Sequence, residues 1–298
     1  MKNVAIFNDL SSFGKCSLTA AIPILSVLGV TPHPIPTAVL TGQSGYSVYY
    51  SKDMTDMMQQ YIQAWKNNNV CFDAIYSGYL TSSKQADYVL EFIEEFKKDN
   101  TFILIDPVMG DNGRVYSIYS DELLSKMKCL VKKADLITPN ITEACLLADE
   151  DYEDIIGCSD SDELINKVID IGNKIKNIAH KDIDIIITGV RTVEENEQYI
   201  YNVAITDECN KKIGSHLFNK SFSGTGDVFA STMCGLILND YSIIDSINIA
   251  NDFLYYSIAD TMKQKANGKD GIYFEERLLE LMKVRKHYEG KSKKKNFR

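Results

Sequence analysis

The stretch "NKSFSGTGDVFASTMCGLILNDY", residues 219–241, decides how the rest of the chain is read. A small-residue turn, Gly224-Thr225-Gly226, runs straight into Asp227 and then into a helical pattern expected over 227–238. Two glycines let a backbone approach a bound group closely. A helix starting there points free N–H groups and the positive end of its dipole at the same spot. The peptide supplies the positive potential, so no lysine is required and the aspartate has a different job. Beside a phosphate cradle it can accept a proton from a substrate hydroxyl, as the general base of phosphoryl transfer. An aspartate in this place could also serve only to stabilise a helix N-terminus, so its surroundings must decide.

Outward from that stretch, short apolar runs alternate with longer helical patterns. "VAIF" (4–7), "PIPTAVL" (34–40), "FDAIYSGYL" (72–80), "FILIDPV" (102–108), "ADLITPN" (134–140) and "DIIIT" (184–188) read as buried strands and their exits. "SLTAAIPILSVLG" (17–29), "DMTDMMQQYIQAWKN" (53–67) and "SKQADYVLEFIEEFKK" (83–98) read as helices, the last capped by a serine. In the second helix Met54, Met57, Met58, Tyr61, Ile62 and Trp65 form a stripe at helical spacing, which predicts a core-facing side. Strand and helix at this spacing predict parallel βαβ units, with helices on both faces of the sheet. Residues 198–218 differ: two or three strands with a turn near Asp207–Asn210 predict an antiparallel edge. The expected fold is therefore a three-layer α/β/α sandwich around a mostly parallel sheet. One domain is expected over 1–282, followed by a basic, flexible tail over 283–298.

The 298 residues are 45% hydrophobic and 24% charged, a globular composition. A net charge of −9 argues against nucleic acid as a partner. The segment from Lys283 carries eight basic residues and one acidic one, and reads as a solvated terminus. Seven cysteines with no C-x-x-C pair indicate reduced thiols rather than a disulfide framework or a zinc site. No apolar run reaches membrane-spanning length and the four-residue run Val4–Phe7 is too short for a signal peptide, so a cytoplasmic protein is expected. "FGKCS" (13–17) is not a P-loop: the G-x-x-x-x-G-K-[ST] pattern needs glycine where Asp9 stands and serine or threonine where Cys16 stands.

In doubly wound sheets ligands sit beyond the carboxyl ends of the strands. Here those exits are "NDLSS", "TGQSGY", "SGYL", "DPVMGD", "TPNITE" and "TGVRT", rich in groups that suit phosphate, metal and hydroxyls. "MGDNGRVYS" (109–117) reads as a polar loop able to cover a transferring phosphate. Taken in order with "GTGD", these motifs resemble the ribokinase-like fold, and within it the pyridoxal/pyridoxamine (vitamin B6) kinases. The resemblance runs over roughly residues 3–265. It implies ATP-dependent phosphorylation of the hydroxymethyl group of a B6 form, in a homodimer, with ATP, Mg²⁺ and a monovalent cation such as K⁺. Gly224, Thr225 and Gly226 resemble the family's anion hole, and Asp227 its catalytic base. Asp111 resembles a residue that meets the ATP phosphates and their Mg²⁺, and Asp106 one near a monovalent cation. Asn140 and Glu143 match the family's N-x-x-E, whose glutamate holds magnesium, often through water. Thr138 and Thr188 fall where relatives touch the cation or the phosphates, and Phe222 near the nucleotide. Ser44 and Tyr79 match vitamin-pocket positions.

Magnesium takes hard oxygen ligands and keeps several waters, so one or two of Asp106, Asp111 and Glu143 would suffice. Asp9 departs from a serine common in the family. It would meet a protonated pyridine or amine of the substrate, or cap the turn after the first strand. Sugar kinases of this fold usually carry a β lid after the first strand, for which the ten residues from Phe7 to Ser17 leave no room. Hydroxymethylpyrimidine kinases lack the lid too, but resemble "GTGC" at the cradle; activity on both substrates is a second reading. A non-catalytic B6- or nucleotide-binding protein would need no base.

Overall fold

The computed structural model describes residues 1–158 and 160–285. Among them nine strands form one sheet, in the order β11-β10-β9-β8-β5-β4-β1-β2-β3. The strands are β1 (Lys2–Ser11), β2 (Val30–Leu40), β3 (Ser51–Asp53), β4 (Ala74–Ser77), β5 (Phe102–Ile105), β8 (Leu136–Ile137), β9 (Asp184–Glu194), β10 (Glu197–Ile205) and β11 (Asn210–His216). A separate two-stranded ribbon joins β6 (Gly110–Asp111) to β7 (Arg114–Val115). From β2 to β9 neighbouring strands run parallel, while β10 and β11 form the expected antiparallel edge and β3 closes the other edge antiparallel to β2.

The helices are α1 (Ser17–Val27), α2 (Thr55–Asn67), α3 (Ser83–Phe96), α4 (Asp121–Val131), α5 (Ile141–Ala148), α6 (Tyr152–Ile156), α7 (Ser161–Ala179), α8 (Thr225–Ile237) and α9 (Ile243–Lys263), with a further helix at 278–285. Strand alternation assigns them to two layers. Val4 and Ile6 of β1 pack with Leu18 of α1, Phe229 of α8 and Ile247 of α9. Ala5 and Phe7 face the opposite way, toward Met58 of α2, Val89 of α3, Leu123 of α4, Ala144 of α5 and Val168 of α7. The chain passes from β1 to β2 through α1 on one face, then returns to β4 and β5 through α2 and α3 on the other. The crossovers change sides between β1 and β4, and in such sheets that crevice receives ligands.

Several local expectations need correction. β1 does not stop at Phe7: a register shift between Asn8 and Leu10 lets it go on pairing with β2 as far as Ser11, so "NDLS" (8–11) is strand, not turn. β9 likewise runs through "TGVRT", because its antiparallel partner β10 goes on pairing to Glu194. The loop expected at 109–117 is the β6–β7 ribbon, pinned by Gly113 N–H donating to Thr142 Oγ1 at 2.9 Å. The α2 stripe is only partly core: Met58 and Ile62 are buried while Met57 is exposed, since α2 lies at the β3 edge of the sheet. Ser82 caps α3 as expected, accepting from Gln85 N–H.

All seven cysteines are free. Among the described residues no helix is long and apolar enough to cross a membrane. Of the basic tail, 283–285 belong to the last helix, whose Leu281 and Val284 pack on the apolar cluster around Ile24 and Phe253; 286–298 lie outside the described residues.

Candidate active site

The carboxyl ends of β1, β4, β5, β8 and β9 meet the N-terminus of α8. That helix starts two residues earlier than the sequence pattern suggests: Gly224 is its N-cap, in the left-handed region at φ 80°, and Thr225 and Gly226 are its first helical residues. Intrahelical bonding begins with Val228 N–H to Gly224 C=O at 3.0 Å, leaving the amides before it free. Gly224 and Thr225 are half-buried and Gly226 is exposed, so the cradle is accessible. A side chain on Gly226 would meet nothing within 4 Å, whereas the Cβ of a residue replacing Gly224 would stand 2.1 Å from the Lys15 carbonyl.

Asp227 is therefore the third residue of the helix, half-buried. Shielding from water pushes its carboxyl up to about 6, and the charge of Asp9 adds to this; the Ser17 amide and the Asn8 side chain oppose it. Asn8 Nδ2 donates to Asp227 Oδ1 at 3.1 Å.

Asp9 is buried at the β1 register shift. Its carboxylate accepts from Ser11 Oγ at 2.7 Å and from Ser17 Oγ at 2.5 Å, and burial raises its pKa. It caps no turn, because the segment is strand. Ser17 has φ 51° despite being buried and not glycine. That backbone costs about 1–2 kcal/mol. It lets one residue turn its hydroxyl to Asp9 while its amide favours ionised Asp227.

Asp106, at the β5 exit, lies within charge reach of Asp227, and Glu143, beyond the β8 exit, within reach of Asp106. Asp106 is buried and accepts from Thr138 Oγ1 at 3.0 Å. Burial first, then the charge of Asp227, pushes its carboxyl up to about 7 against that hydrogen bond. Glu143 is buried too. Its Oε1 accepts Met109 N–H at 3.1 Å and its Oε2 accepts Asn140 N–H at 2.8 Å. Burial and the charge of Asp106 nonetheless hold its pKa well above the usual range. Asn140 completes the capping box of α5 by accepting Glu143 N–H, and its Nδ2 donates to Gly110 C=O at 2.8 Å. "NITE" thus fastens the base of the β6–β7 ribbon. Asp111 stands apart: it is exposed and bonded to Asn112 N–H and Nδ2. Of the three acids expected around a metal, two are buried side by side and one sits on the rim. Among the described residues no three His, Cys, Asp or Glu side chains form a ready-made cage.

Thr188 donates its amide to Pro139 C=O at 2.8 Å, which ties β9 to the β8 exit. It also lines a cavity of about 560 Å³ between β9–β11 and α8–α9. Thr225 and Gly226 form one end of that cavity, and Phe222, Leu254, Tyr255 and Ile258 give it apolar walls. Arg191 and Lys220 are the arginine and lysine side chains that line it.

Tyr79 is half-buried at the β4 exit. Burial and the nearby charge of Asp9 push its phenol up to about 12. Ser44 is exposed in the loop after β2. The sequence reading missed Asn8, Ser11, Ser17, Arg191 and Tyr255. A polar pair directly after the apolar run Val4–Phe7 was the available signal for Asn8. Nothing in the local pattern marks Tyr255, which lies within the amphipathic α9.

A family model described as phosphomethylpyrimidine kinase matches residues 14–271. The pyridoxal kinase of Dictyostelium discoideum is 25% identical over 293 residues, spanning 90% of this chain and 89% of that protein. A solved structure from Bacteroides thetaiotaomicron, a candidate phosphomethylpyrimidine kinase crystallised with pyridoxal, is 35% identical with a TM-score of 0.84. The match spans 94% of this chain and 95% of that one. The Leishmania donovani pyridoxal kinase, solved with ADP and pyridoxamine, shares the fold at TM-score 0.78 and 20% identity, over 94% and 96% of the two chains. Matched over most of its length by the family model and by a structure at 35% identity, a chain with this cradle and this sheet belongs to the phosphomethylpyrimidine kinase family of the ribokinase-like fold.

Proposed function

We propose that this protein transfers the γ-phosphoryl group of ATP to the hydroxymethyl group of a vitamin B6 form. The observation that carries the reading is Asp227 at the mouth of free helix amides that also close one end of the 560 Å³ cavity. A cavity of that size suits a nucleotide. The base lies against Phe222, Leu254 and Tyr255, and the phosphates reach the amides of Thr225 and Gly226. The acceptor lies in the β1/β4 crevice, between Asp9 and Tyr79, so that its hydroxyl meets Asp227 from the side opposite the nucleotide. Asp227 takes the hydroxyl proton as the oxygen attacks, and the α8 amides stabilise charge on the transferring phosphoryl group. The names of the relatives and the pyridoxal in the Bacteroides structure support a B6 vitamer as acceptor. The family description keeps hydroxymethylpyrimidine as a second reading.

A divalent cation fits the donor set: Asp106 and Glu143 are buried oxygen acids, and among the described residues neither is ion-paired. Mg²⁺ would be held on the Asp106 side, and by Glu143 through water, since both Glu143 oxygens already accept amides, with Asp111 at the rim beside the phosphates; a monovalent cation would sit by Asp106 and Thr138. When bound, such ions neutralise charge on the ATP phosphates. The same reading includes a cytoplasmic homodimer, in which a partner copy would cover the exposed Phe13, Val48 and Tyr50.

Two results follow. Asp227 acts in its charged form, and its carboxyl is raised to about 6. The acid limb of kcat/KM therefore falls as pH drops through about 6, and a pH profile flat down to 4.5 contradicts the assignment. Arg191 lines the cavity and, among the described residues, forms no ion pair. Arg191→Ala raises KM for ATP about 5–10-fold with KM for the vitamin unchanged, one exposed charge-assisted hydrogen bond to phosphate being lost. Equal shifts in both constants would remove Arg191 from the nucleotide site. The reading as a whole is tested by ADP release. ADP must form only when ATP and a B6 vitamer are both present; ADP formation indifferent to the vitamin counts against it.

A further inference from the structure

Asn8 is fully buried and does not line the 560 Å³ cavity. Its Oδ1 accepts two backbone amides, Asp9 N–H at 3.0 Å and Tyr79 N–H at 3.0 Å. Both partners can only donate, so the carboxamide has one workable orientation. Exchanging its oxygen and nitrogen would set an NH₂ group against two N–H groups. The nitrogen is thereby forced toward Asp227, and Nδ2 donates to Asp227 Oδ1 at 3.1 Å.

The site is also built around this amide. A Cβ at Gly78 would lie 2.6 Å from Asn8 Nδ2 and 2.8 Å from its Cγ, so the missing side chain there is the room Asn8 occupies. The register shift between Asn8 and Leu10 does the rest. In a regular strand neighbouring side chains point to opposite faces, yet here Asn8 reaches Asp227 while Asp9 reaches Ser17 beside it.

We propose that Asn8 is the positioning residue of Asp227. A donor rooted in a buried strand holds one carboxylate oxygen and leaves Oδ2 directed at the acceptor hydroxyl. The proposal rests on the reading of Asp227 as base. The competing role is purely structural, a polar staple between β1 and β4 that needs only Oδ1.

Asn8→Asp separates the two. It preserves shape and both acceptor bonds, and replaces the donor with a carboxylate oxygen that repels Asp227. The expected result is a folded protein with a lowered thermal midpoint, KM for ATP within about twofold, and kcat lowered about 10–10²-fold, the scale set by misplacing a reacting group. Gly78→Ala is the second variant. It displaces the amide without adding charge and lowers kcat in the same direction with KM for ATP kept. The double variant N8D/D227N is no slower than D227N alone, because the two side chains act as a unit. A native kcat in any folded one of N8D and G78A overturns the proposal, as does a double variant whose losses multiply. Near-native kcat in D227N alone overturns the base reading instead, so the two failures are distinguishable. If N8D does not fold, G78A decides by the same criterion.

Discussion

Replacing Asp227 with asparagine lowers kcat by about 10²–10⁴-fold, the usual contribution of a positioned general base, and leaves the fold and ATP binding in place. Asparagine keeps the shape of the side chain, so the contact with Asn8 survives in altered form and α8 is undisturbed. The free amides of Thr225 and Gly226 belong to the backbone and do not change. What disappears is the ability to take a proton from the attacking hydroxyl. A carboxyl held at about 6 is suited to this, because it is charged at neutral pH yet more basic than an ordinary aspartate. Steady-state kinetics with ATP and pyridoxal, together with nucleotide titration, separate the effects. A variant with near-native kcat means that Asp227 only stabilises the helix N-terminus.

Gly224→Ala has the second large effect and acts by another route. The residue sits at φ 80°, and an added Cβ would lie 2.1 Å from the Lys15 carbonyl and 3.0 Å from Cys16 Cα. Both obstacles are backbone, held by the bond from Lys15 N–H to Asp270 C=O at 3.1 Å and by the start of α1. The left-handed backbone alone costs about 1–2 kcal/mol for a non-glycine residue, and the clash moves the first turn of α8. Thermal stability and kcat/KM therefore fall together, the latter by about 10²-fold or more, as expected for a catalytic group displaced by about 1 Å. Gly226→Ala is the control. Nothing lies within 4 Å of its Cβ position, so the midpoint stays native while KM for ATP rises if phosphate approaches that amide. A Gly224→Ala variant with native midpoint and rate would show that the cradle does not depend on this close approach.

The legible parts of the fold were those with a local cause. The central strands β4, β5 and β8, and the first halves of β1 and β9, are short apolar runs because both their faces are covered by helices. The β10–β11 edge showed through its turn residues, and the cradle through Gly224, which the close approach of the Lys15 carbonyl requires. What stayed hidden depends on long-range pairing. The extension of β1 to Ser11 needs β2 alongside it, and the register shift that turns Asn8 and Asp9 into the site leaves no mark in composition. Asp9 drew notice by its departure from the family pattern, but its two serine partners left no such signal. Asp111 was grouped with Asp106 and Glu143 by motif, and only the β6–β7 ribbon shows that it lies on the rim. The walls of the large cavity come from α9, from alternate residues of β10 and from the end of β11, whose polar and apolar positions read as ordinary amphipathic surface.

The central claim is that the Asp227 cradle serves phosphoryl transfer to a B6 vitamer. The most direct measurement offers ATP and Mg²⁺ with pyridoxal, pyridoxine, pyridoxamine and hydroxymethylpyrimidine in parallel, and quantifies phosphorylated product against ADP. The predicted result is one phosphorylated vitamer per ADP, with kcat/KM higher for a B6 form than for hydroxymethylpyrimidine. Product from hydroxymethylpyrimidine alone, or none from any of the four, would contradict the account.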